Sequence, residues 1–290
     1  MEQLLKDYER YLSSGVHGLQ AESSVRRYMY EARHFLQTSN KRPEEFAPED
    51  IDAFMSPDGR RYKPSTKQGK LAALRKFFEY LVSRKIIQEN PCAGALSPRI
   101  PYIERVALTQ DQVQHFFEVI SRDTTLPGKM YLAMVALLYY LGLRASEVAL
   151  LELSHVTAGD PIWLTVHLKG GKFKIYPILN PQLQTYFLPW WNFRKSFGGP
   201  KPALFINLKK KTPLSVRTLE RRVHSFGKMA NLPIRIHPHL LRRCFATHLK
   251  QKGVDIFTIC RLMGHARIDV TKRYVTDMDE EQQAALLLLR

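Results

Sequence analysis

The sequence predicts a mainly α-helical fold with a small β-sheet, an α+β protein with a helical N-terminal domain and a mixed α/β domain after it. Segments in the first 90 residues place apolar side chains three and four positions apart, the spacing of one helix face. A proline-rich segment at 90–105 has little periodicity, which is typical of an interdomain linker. Two β-type runs over 162–179 meet at Gly170-Gly171 and predict a hairpin.

The N-terminal domain, residues 1–90, is expected to hold four helices. Three come from EQLLKDYERYL, SSVRRYMYEARHFLQ and STKQGKLAALRKFFEYLVSR, and the shorter EDIDAFM predicts the fourth. Bases lie away from the apolar stripes of these helices, where they could be solvated or could contact phosphates. The candidate phosphate contacts in this domain are Arg26, Arg27, Lys67 and Lys70.

A linker at 91–105 is followed by the second domain, residues 106–278. The tetrapeptide TQDQ at 109–112 predicts a capping box at the start of a helix. The run MYLAMVALLYYLGL, 130–143, is apolar on nearly all sides and predicts a central buried helix. Further helical patterns occupy 181–195, 214–230, 238–252, 255–263 and 267–275. The tail at 279–290 predicts a short helix that ends in four leucines, which are too apolar to stay in water.

The net charge indicates the class of partner. The chain has 44 Lys and Arg against 27 Asp and Glu, a formal charge of +17. Residues 1–100 hold 17 bases and 13 acids, whereas residues 101–290 hold 27 and 14, so the excess lies in the second domain. Such a field attracts polyanions, most commonly DNA or RNA. Anionic lipid, or solubility alone, is the alternative that charge leaves open.

Other features limit the location and the cofactors. No apolar run reaches 18 residues, and the segment MEQLLKDYERYL lacks the apolar core of a signal peptide. Three widely spaced cysteines give no disulfide framework, so we expect a cytoplasmic protein without a membrane segment. The cluster of His237, His239, His248 and Cys244 has no CxxC or HxxxH pair, and we expect no metal and no cofactor.

Seven side chains in the second half form an ordered series. GLRASEVALLEL places Arg144 and Glu147 one turn apart, which the pattern puts at the end of the buried helix. The hairpin carries Lys169 at its turn, and HPHLLRR puts His239 and Arg242 on one helical face. His265 and Tyr274 complete the series. Each of these residues alone has an ordinary structural interpretation, as a cap, a turn lysine or a core aromatic.

The sequence motifs that contain these residues resemble those of the tyrosine recombinase (integrase) family, and most closely those of its bacterial Xer-like members. They are LGLRASEV, HLKGGK, HPHLLRRCFATHL and LMGHARIDVTKRY, in this order. The family signature of Arg, Lys, His-x-x-Arg, His and Tyr is met by Arg144, Lys169, His239, Arg242, His265 and Tyr274. The resemblance covers about residues 1–280; it is strong over 130–275 and holds in outline for the N-terminal part, which is similar to a core-binding domain.

The resemblance implies a site-specific recombinase that cleaves and rejoins DNA through a covalent 3′-phosphotyrosine intermediate. Tyr274 would be the nucleophile and Lys169 the acid that protonates the leaving oxygen. Arg144, Arg242, His239 and His265 would stabilise the transition state, because fixed donors aimed at developing negative charge lower the barrier. Glu147 is expected to support this set by orienting Arg144 or a histidine. Further DNA contacts are expected from Lys172, Arg217, Arg221, Arg222 and Arg243.

The family works as a homotetramer on two double-stranded DNA sites through a Holliday junction, and the resemblance implies the same here. A partner recombinase subunit or an activator is possible, and the tail at 279–290 could dock in a neighbouring subunit or on its own core. Two other functions stay open. One is a type IB-like topoisomerase, although the Xer-like motifs favour a recombinase. The other is a DNA-binding accessory protein without catalysis, although no signature residue is replaced.

Overall fold

A computed structural model describes residues 2–14, 22–56, 62–101, 106–168, 171–197 and 202–264. The chain divides into two compact units, Met1–Ile103 and Glu104–Arg290. The described part is mainly helical with two small sheets, and this confirms the predicted fold class. None of the helices in the described ranges has the length and hydropathy needed to cross a membrane.

Among its described residues, the first unit has four α-helices around an aromatic core. The helices are α1 (Glu2–Ser13), α2 (Glu22–Ser39), α3 (Pro48–Met55) and α4 (Pro64–Ser83). Their apolar stripes meet at Tyr8, Phe35, Phe77 and Phe78, all fully buried. Phe35 meets Phe78 edge to face with ring centroids 5.5 Å apart, a favoured aromatic geometry. The four helices expected from periodicity are therefore present.

Part of the segment predicted as linker belongs to this first unit. Cys92 is fully buried in the helical core, and Ala95 packs against that core. Arg75 on α4 donates to the carbonyl of Ala95 and, at 3.0 Å, to Oγ of Ser97. The prolines interrupt helical periodicity here, but the short turns between them still bury apolar atoms.

Lys70 is an internal residue, and its assignment as a phosphate contact is wrong. Its Nζ lies 2.9 Å from Oε2 of Glu31, and both side chains are almost fully buried. The ammonium also lies 4.1 Å from the centroid of the Phe54 ring. A lysine committed to a buried carboxylate cannot reach a DNA backbone without leaving that carboxylate unpaired.

The second unit combines seven helices with two small sheets among its described residues. The helices are α5 (Gln110–Ser121), α6 (Leu126–Tyr140), α7 (Ala145–Ala149), α8 (Pro181–Ser196), α9 (Val216–Met229), α10 (Pro238–Gln251) and α11 (Ile256–Leu262). The predicted capping box starts α5: Oγ1 of Thr109 accepts from the Gln112 N–H at 3.2 Å, and Oε1 of Gln112 accepts from the Thr109 N–H at 3.0 Å. Such a cap contributes about 1 kcal/mol to helix stability.

The sheet contains the predicted hairpin. Strands β2 (Ile162–His167) and β3 (Phe173–Ile178) pair antiparallel, with His167 opposite Phe173, and the two-residue β1 (Val156–Thr157) adds to the other edge of β2. The short strands β4 (Ile206–Asn207) and β5 (Thr212–Pro213) form a separate ribbon. The hairpin turn at 169–170 lies outside the described residues.

Helix α6 is the buried centre of the second unit, as the sequence predicts. It packs against α5, α8, α9 and α10, and most of its side chains from Met130 to Leu138 are buried. It ends at Tyr140, however, so Arg144 does not lie on this helix. Gly142 adopts a left-handed φ of +61°, which ends the helical path and turns the chain towards α7.

Candidate active site

The turn after α6 places Arg144 at the start of a new helix. A Cβ on Gly142 would lie 2.5 Å from Cδ1 of Phe245, so both the left-handed φ and this close approach require glycine. Arg144 is the N-cap residue of α7 in an extended conformation. Its side chain keeps 30% of its surface exposed, which makes the guanidinium accessible from solvent.

Helix α10 supplies the second arginine and a histidine. His237 caps the helix, because its Nδ1 accepts from the Leu240 N–H at 3.2 Å. His239 and Arg242 follow three residues apart on one face, but their environments differ. His239 is exposed, whereas only 1% of the surface of Arg242 is accessible. Arg242 donates through Nη1 to the carbonyl of Gly142, and through Nη2 to that of Met263 at 2.6 Å.

The carboxylate of Glu147 lies between the two arginines. Oε1 accepts from Nη1 of Arg144 at 2.6 Å, and Oε2 accepts from the backbone N–H of Arg144 at 2.7 Å. Oε2 also lies 3.8 Å from Nη1 of Arg242. Because Glu147 is buried and negatively charged, it offsets the repulsion between two guanidinium groups held close together. The contact with Arg144 is the one expected from the sequence, and the supporting role of Glu147 in catalysis stays a prediction.

The same arginines act on His239. Partial burial of the ring lowers the pKa of His239, and the positive charges of Arg242 and Arg144 lower it further. The imidazole is therefore neutral near pH 7, with one N–H available as a donor. A neutral donor beside the partly exposed Arg144 suits the binding of an oxyanion, because it adds a hydrogen bond without adding a third fixed cation.

The sequence pattern does not predict a role for two residues that flank the site, Lys174 and Tyr176. Lys174 on β3 donates through Nζ to the carbonyls of Arg261 and Leu262, the latter at 3.1 Å. The hydroxyl of Tyr176, also on β3, donates to the Leu262 carbonyl at 2.8 Å. Alternation along the strand puts both side chains on one face of β3, but sequence alone does not show which element that face meets.

Three members of the predicted catalytic set lie outside the described residues: Lys169, His265 and Tyr274. The predicted helix at 267–275 and the tail at 279–290 lie outside them as well. The structure therefore brings together Arg144, Glu147, Arg242 and His239, from segments about a hundred residues apart in the sequence.

Most predicted DNA-contact residues have exposed side chains. On α9, Arg217 and Arg221 are exposed and line a pocket of about 450 Å³, together with His239 at the start of α10. Four other predicted contacts are also exposed: Arg26, Arg27, Lys172 and Arg222. Lys67 is partly exposed, and its Nζ donates to Oγ of Ser56 at 3.3 Å.

Arg243 differs from these residues, and its assignment as a DNA contact is wrong. It is 8% exposed, and its Nη1 donates to the carbonyl of Val106 at 3.1 Å. This contact ties α10 to the segment that precedes α5. An arginine buried in that way supports the fold and does not present its charge to a phosphate.

Two members of the histidine and cysteine cluster near α10, His248 and Cys244, form hydrogen bonds in the interior. The ring of His248 bonds through Nε2 to the Leu108 carbonyl and through Nδ1 to the Tyr139 hydroxyl, each at 2.8 Å. Sγ of Cys244 accepts from the Leu108 N–H at 3.3 Å. Across the residues that the structure describes, no three His, Cys, Asp or Glu side chains are grouped so that they could hold a metal ion.

Comparison with known proteins decides the family. The model described as the phage integrase family matches residues 107–281, more than half of the chain. The chain belongs to the phage integrase family. A second model of that family, its N-terminal SAM-like domain, matches residues 5–88. Together the two matches extend over most of the chain and include the whole site described above.

One curated relative and two solved structures illustrate what this chain is similar to. The tyrosine recombinase XerC of Shewanella sp. (strain ANA-3) is 30% identical, over 97% of this chain and 92% of the relative. The Tn1549 transposon integrase, solved in complex with a circular intermediate DNA, shares the fold with a TM-score of 0.73 at 21% identity, covering 99% and 98% of the two chains. A lambda integrase tetramer bound to a Holliday junction has a TM-score of 0.72 at 18% identity, covering 96% and 78%.

Within the phage integrase family, the chain is a tyrosine-type site-specific recombinase of the Xer-like kind, as the sequence predicts. The observed group of Arg144, Glu147, Arg242 and His239 lies inside the segment that the family model matches. Its geometry can therefore be used to ask how a strand of nucleic acid would be held and cleaved.

Proposed function

We propose that this recombinase cleaves DNA by attack of Tyr274 on a backbone phosphate, which leaves the enzyme joined to the 3′-phosphate. The phenol oxygen forms a bond to phosphorus while the bond to the 5′-oxygen breaks, and Lys169 gives a proton to that oxygen. The link retains the energy of the phosphodiester bond. A 5′-hydroxyl of another strand can then reverse the step, so neither metal nor ATP is required.

The observation that carries this proposal is the pair of arginines around Glu147. Arg144 extends to solvent and can place its planar fork on two phosphate oxygens. Arg242 lies behind it in the interior, where its charge is screened less by water and adds to the field at the phosphate. Negative charge grows on the non-bridging oxygens during attack, and such preorganised charge lowers the barrier.

The remaining donors complete the arrangement. His239 is neutral in the free protein, so it can donate one hydrogen bond to a phosphate oxygen. His265 is proposed to add a second histidine donor. The exposed arginines on α9 would contact phosphates beside the cleaved one, since they line a pocket that reaches His239.

We propose double-stranded DNA as the partner and a homotetramer on two sites as the working assembly. The relatives solved with a circular intermediate DNA and, as a tetramer, with a Holliday junction support both parts. Residues 1–90 would form a core-binding domain and residues 279–290 a helix that docks on a neighbouring subunit. Work on DNA of this kind is consistent with a cytoplasmic location.

Trapping on suicide duplexes tests the proposal. Nicked duplexes drawn from the DNA around the protein's own gene lose a short fragment on cleavage, so a covalent adduct accumulates. We expect wild type to form an adduct that survives denaturant, and Tyr274→Phe to bind the same duplex without forming one. Tyr30→Phe, an exposed tyrosine on α2, serves as the control and should behave like wild type.

Three results would contradict the proposal. An adduct of unchanged yield with Tyr274→Phe would remove the nucleophile. Relaxation of supercoiled plasmids without any defined site would favour a topoisomerase. Binding in gel shifts, with no trapping by wild type on any captured duplex, would favour an accessory protein.

A further inference from the structure

The C-terminal end of α11 is held by side chains from two other elements. Three successive carbonyls, of Arg261, Leu262 and Met263, accept hydrogen bonds from outside the helix. Lys174 donates to the first two, Tyr176 donates to the second and Arg242 donates to the third. The last carbonyls of a helix have no partner within it, and they carry its negative partial charge. We call the contacts of Lys174 and Tyr176 with the end of α11 the strand–helix clamp.

The clamp residues are well suited to a fixed geometry. The Lys174 ammonium lies 4.6 Å from the Tyr176 ring centroid, so the two side chains support each other as well as α11. Tyr176 is buried, and burial together with the nearby Glu147 raises its pKa to about 12, which keeps the hydroxyl a donor. The clamp therefore joins β3 to α11 beside the Glu147 carboxylate.

A second contact lies next to the clamp. Gly264 follows α11 with a left-handed φ of +62°, and a Cβ there would lie 3.0 Å from Cδ1 of Leu168. The N–H of Leu168 donates to the Lys172 carbonyl at 2.6 Å, which closes the base of the hairpin turn. The residues that come next along the chain are Lys169 after Leu168 and His265 after Gly264.

This juxtaposition links the two carriers of predicted catalytic groups. Among the described residues, Lys174, Tyr176 and Leu168 join the hairpin to the end of α11. A loss of the clamp would remove the hydrogen bonds that join β3 to the end of α11.

We propose that Lys174 and Tyr176 are positioning residues that hold the hairpin, and with it Lys169, in register with the phosphate held by Arg144 and Arg242. The inference rests on the proposed function, because it needs Lys169 to protonate the leaving 5′-oxygen. A purely structural clamp would stabilise the fold without a selective effect on that proton transfer. The two interpretations therefore differ in one chemical step.

The test compares two leaving groups in single-turnover cleavage of suicide duplexes. In the ordinary duplex, Tyr274 forms the bond to phosphorus, the bond to the 5′-oxygen breaks, and the alkoxide takes a proton from Lys169. In a duplex with a 5′-bridging sulfur, the phosphorus–sulfur bond breaks instead. The thiolate then leaves without a proton, because a thiol has a pKa of only about 8.5. Defects in proton donation are relieved by sulfur, and defects in phosphate binding are not.

The variants are Lys174→Met, Tyr176→Phe and the conservative Lys174→Arg, with Lys195→Met on α8 as the control. On the ordinary duplex we expect Lys174→Met to cleave about 10–100 times more slowly, a part of the ~10²–10⁴-fold that general acid catalysis supplies. Tyr176→Phe should lose less, and Lys174→Arg should retain most of the rate because it keeps the donors. On the sulfur duplex all should cleave within about threefold of wild type, with unchanged DNA affinity.

A double mutant separates the roles further. In a Lys169→Ala background the clamp has no acid to position, so adding Tyr176→Phe should cause no further loss on the ordinary duplex. Equal losses on both duplexes, or full rates for Lys174→Met and Tyr176→Phe, would overturn the inference. If Lys174→Met does not fold, the comparison of the two duplexes is made with Tyr176→Phe alone, because this smaller change removes only one hydroxyl. Absence of any adduct with wild type would instead refute the proposed function.

Discussion

Glu147 accepts two hydrogen bonds from Arg144, one from the backbone N–H at 2.7 Å and one from the guanidinium at 2.6 Å. The first bond caps α7 and the second orients the side chain that reaches solvent. The same carboxylate faces the buried Arg242 at 3.8 Å. A single buried acid therefore sets the start of a helix and holds two cations together.

Replacing Glu147 by glutamine should reduce both stability and cleavage. The amide keeps the shape but removes the charge that faces both guanidinium groups, so we expect a loss of about 1–3 kcal/mol in the free energy of unfolding. Cleavage of a suicide duplex should fall more than about tenfold, because Arg144 loses its orientation. Urea unfolding and single-turnover trapping measure the two effects. Glu118→Gln, on the exposed face of α5, is the control, and a Glu147→Gln protein equal to it would contradict this role.

The buried pair of Lys70 and Glu31 should be structural. Lys70→Met leaves a buried carboxylate unpaired and should destabilise the protein by about 3–5 kcal/mol. Lys76→Met, on the same helix but in an exposed pair with Glu79, should cost at most about 1 kcal/mol. Urea unfolding compares the two variants. A double variant, Lys70→Met with Glu31→Leu, should recover stability, and reduced DNA affinity in that folded double variant would restore Lys70 as a phosphate contact.

Acid should destabilise the second unit through His248. Burial of the ring lowers the pKa of His248, so the unfolded chain binds a proton more readily than the folded one. Stability is therefore complete above the ordinary histidine pKa of about 6.5 and is lost as the pH falls below it. Urea midpoints between pH 7.5 and pH 5, values chosen to bracket about 6.5, measure this loss. His248→Gln should be less stable at pH 7.5 but should lose less on acidification; an unchanged pH dependence would contradict the assignment.

The exposed arginines of α9 should contribute a salt-dependent share of DNA binding. Arg221→Ala should weaken binding to any sequence, and it should reduce the slope of log K against log salt by about 0.9, the value for one phosphate contact. Lys228→Ala, at the other end of the same helix and equally exposed, is the matched control. Binding titrations at several salt concentrations give both slopes. Equal slopes for the two variants would show that Arg221 is only a solvated side chain.

The periodicity of the sequence was sufficient for most helices of the fold. Helices expected at 181–195 and 238–252 are observed as Pro181–Ser196 and Pro238–Gln251, because apolar spacing and N-caps are local signals. The predicted end of α6 is too late because the apolar pattern continues through Leu143, whereas the left-handed turn at Gly142, which packs against Phe245, ends the helix at Tyr140. Local patterns do not contain such contacts.

Charge in the sequence did not distinguish surface from interior. Lys70 and Arg243 have the same helical spacing as exposed bases, yet one pairs with Glu31 and the other bonds to the Val106 carbonyl. Lys174 and Tyr176 were missed for the opposite reason. Their partners are backbone carbonyls at the end of α11, and every residue type has such a carbonyl, so the sequence does not predict these contacts. The family resemblance predicts an ordered set of catalytic groups, but it does not predict the contacts made by Lys174 and Tyr176.

The chemical identity of the covalent link shows which side chain attacks the DNA. Wild type trapped on a suicide duplex is digested with protease and nuclease, and the peptide that carries nucleotide is sequenced by mass spectrometry. The account predicts a peptide of the segment GHARIDVTKRYV with a 3′-phosphate ester on Tyr274. Nucleotide attached to another side chain, or to the 5′ end of the cleaved strand, would contradict it.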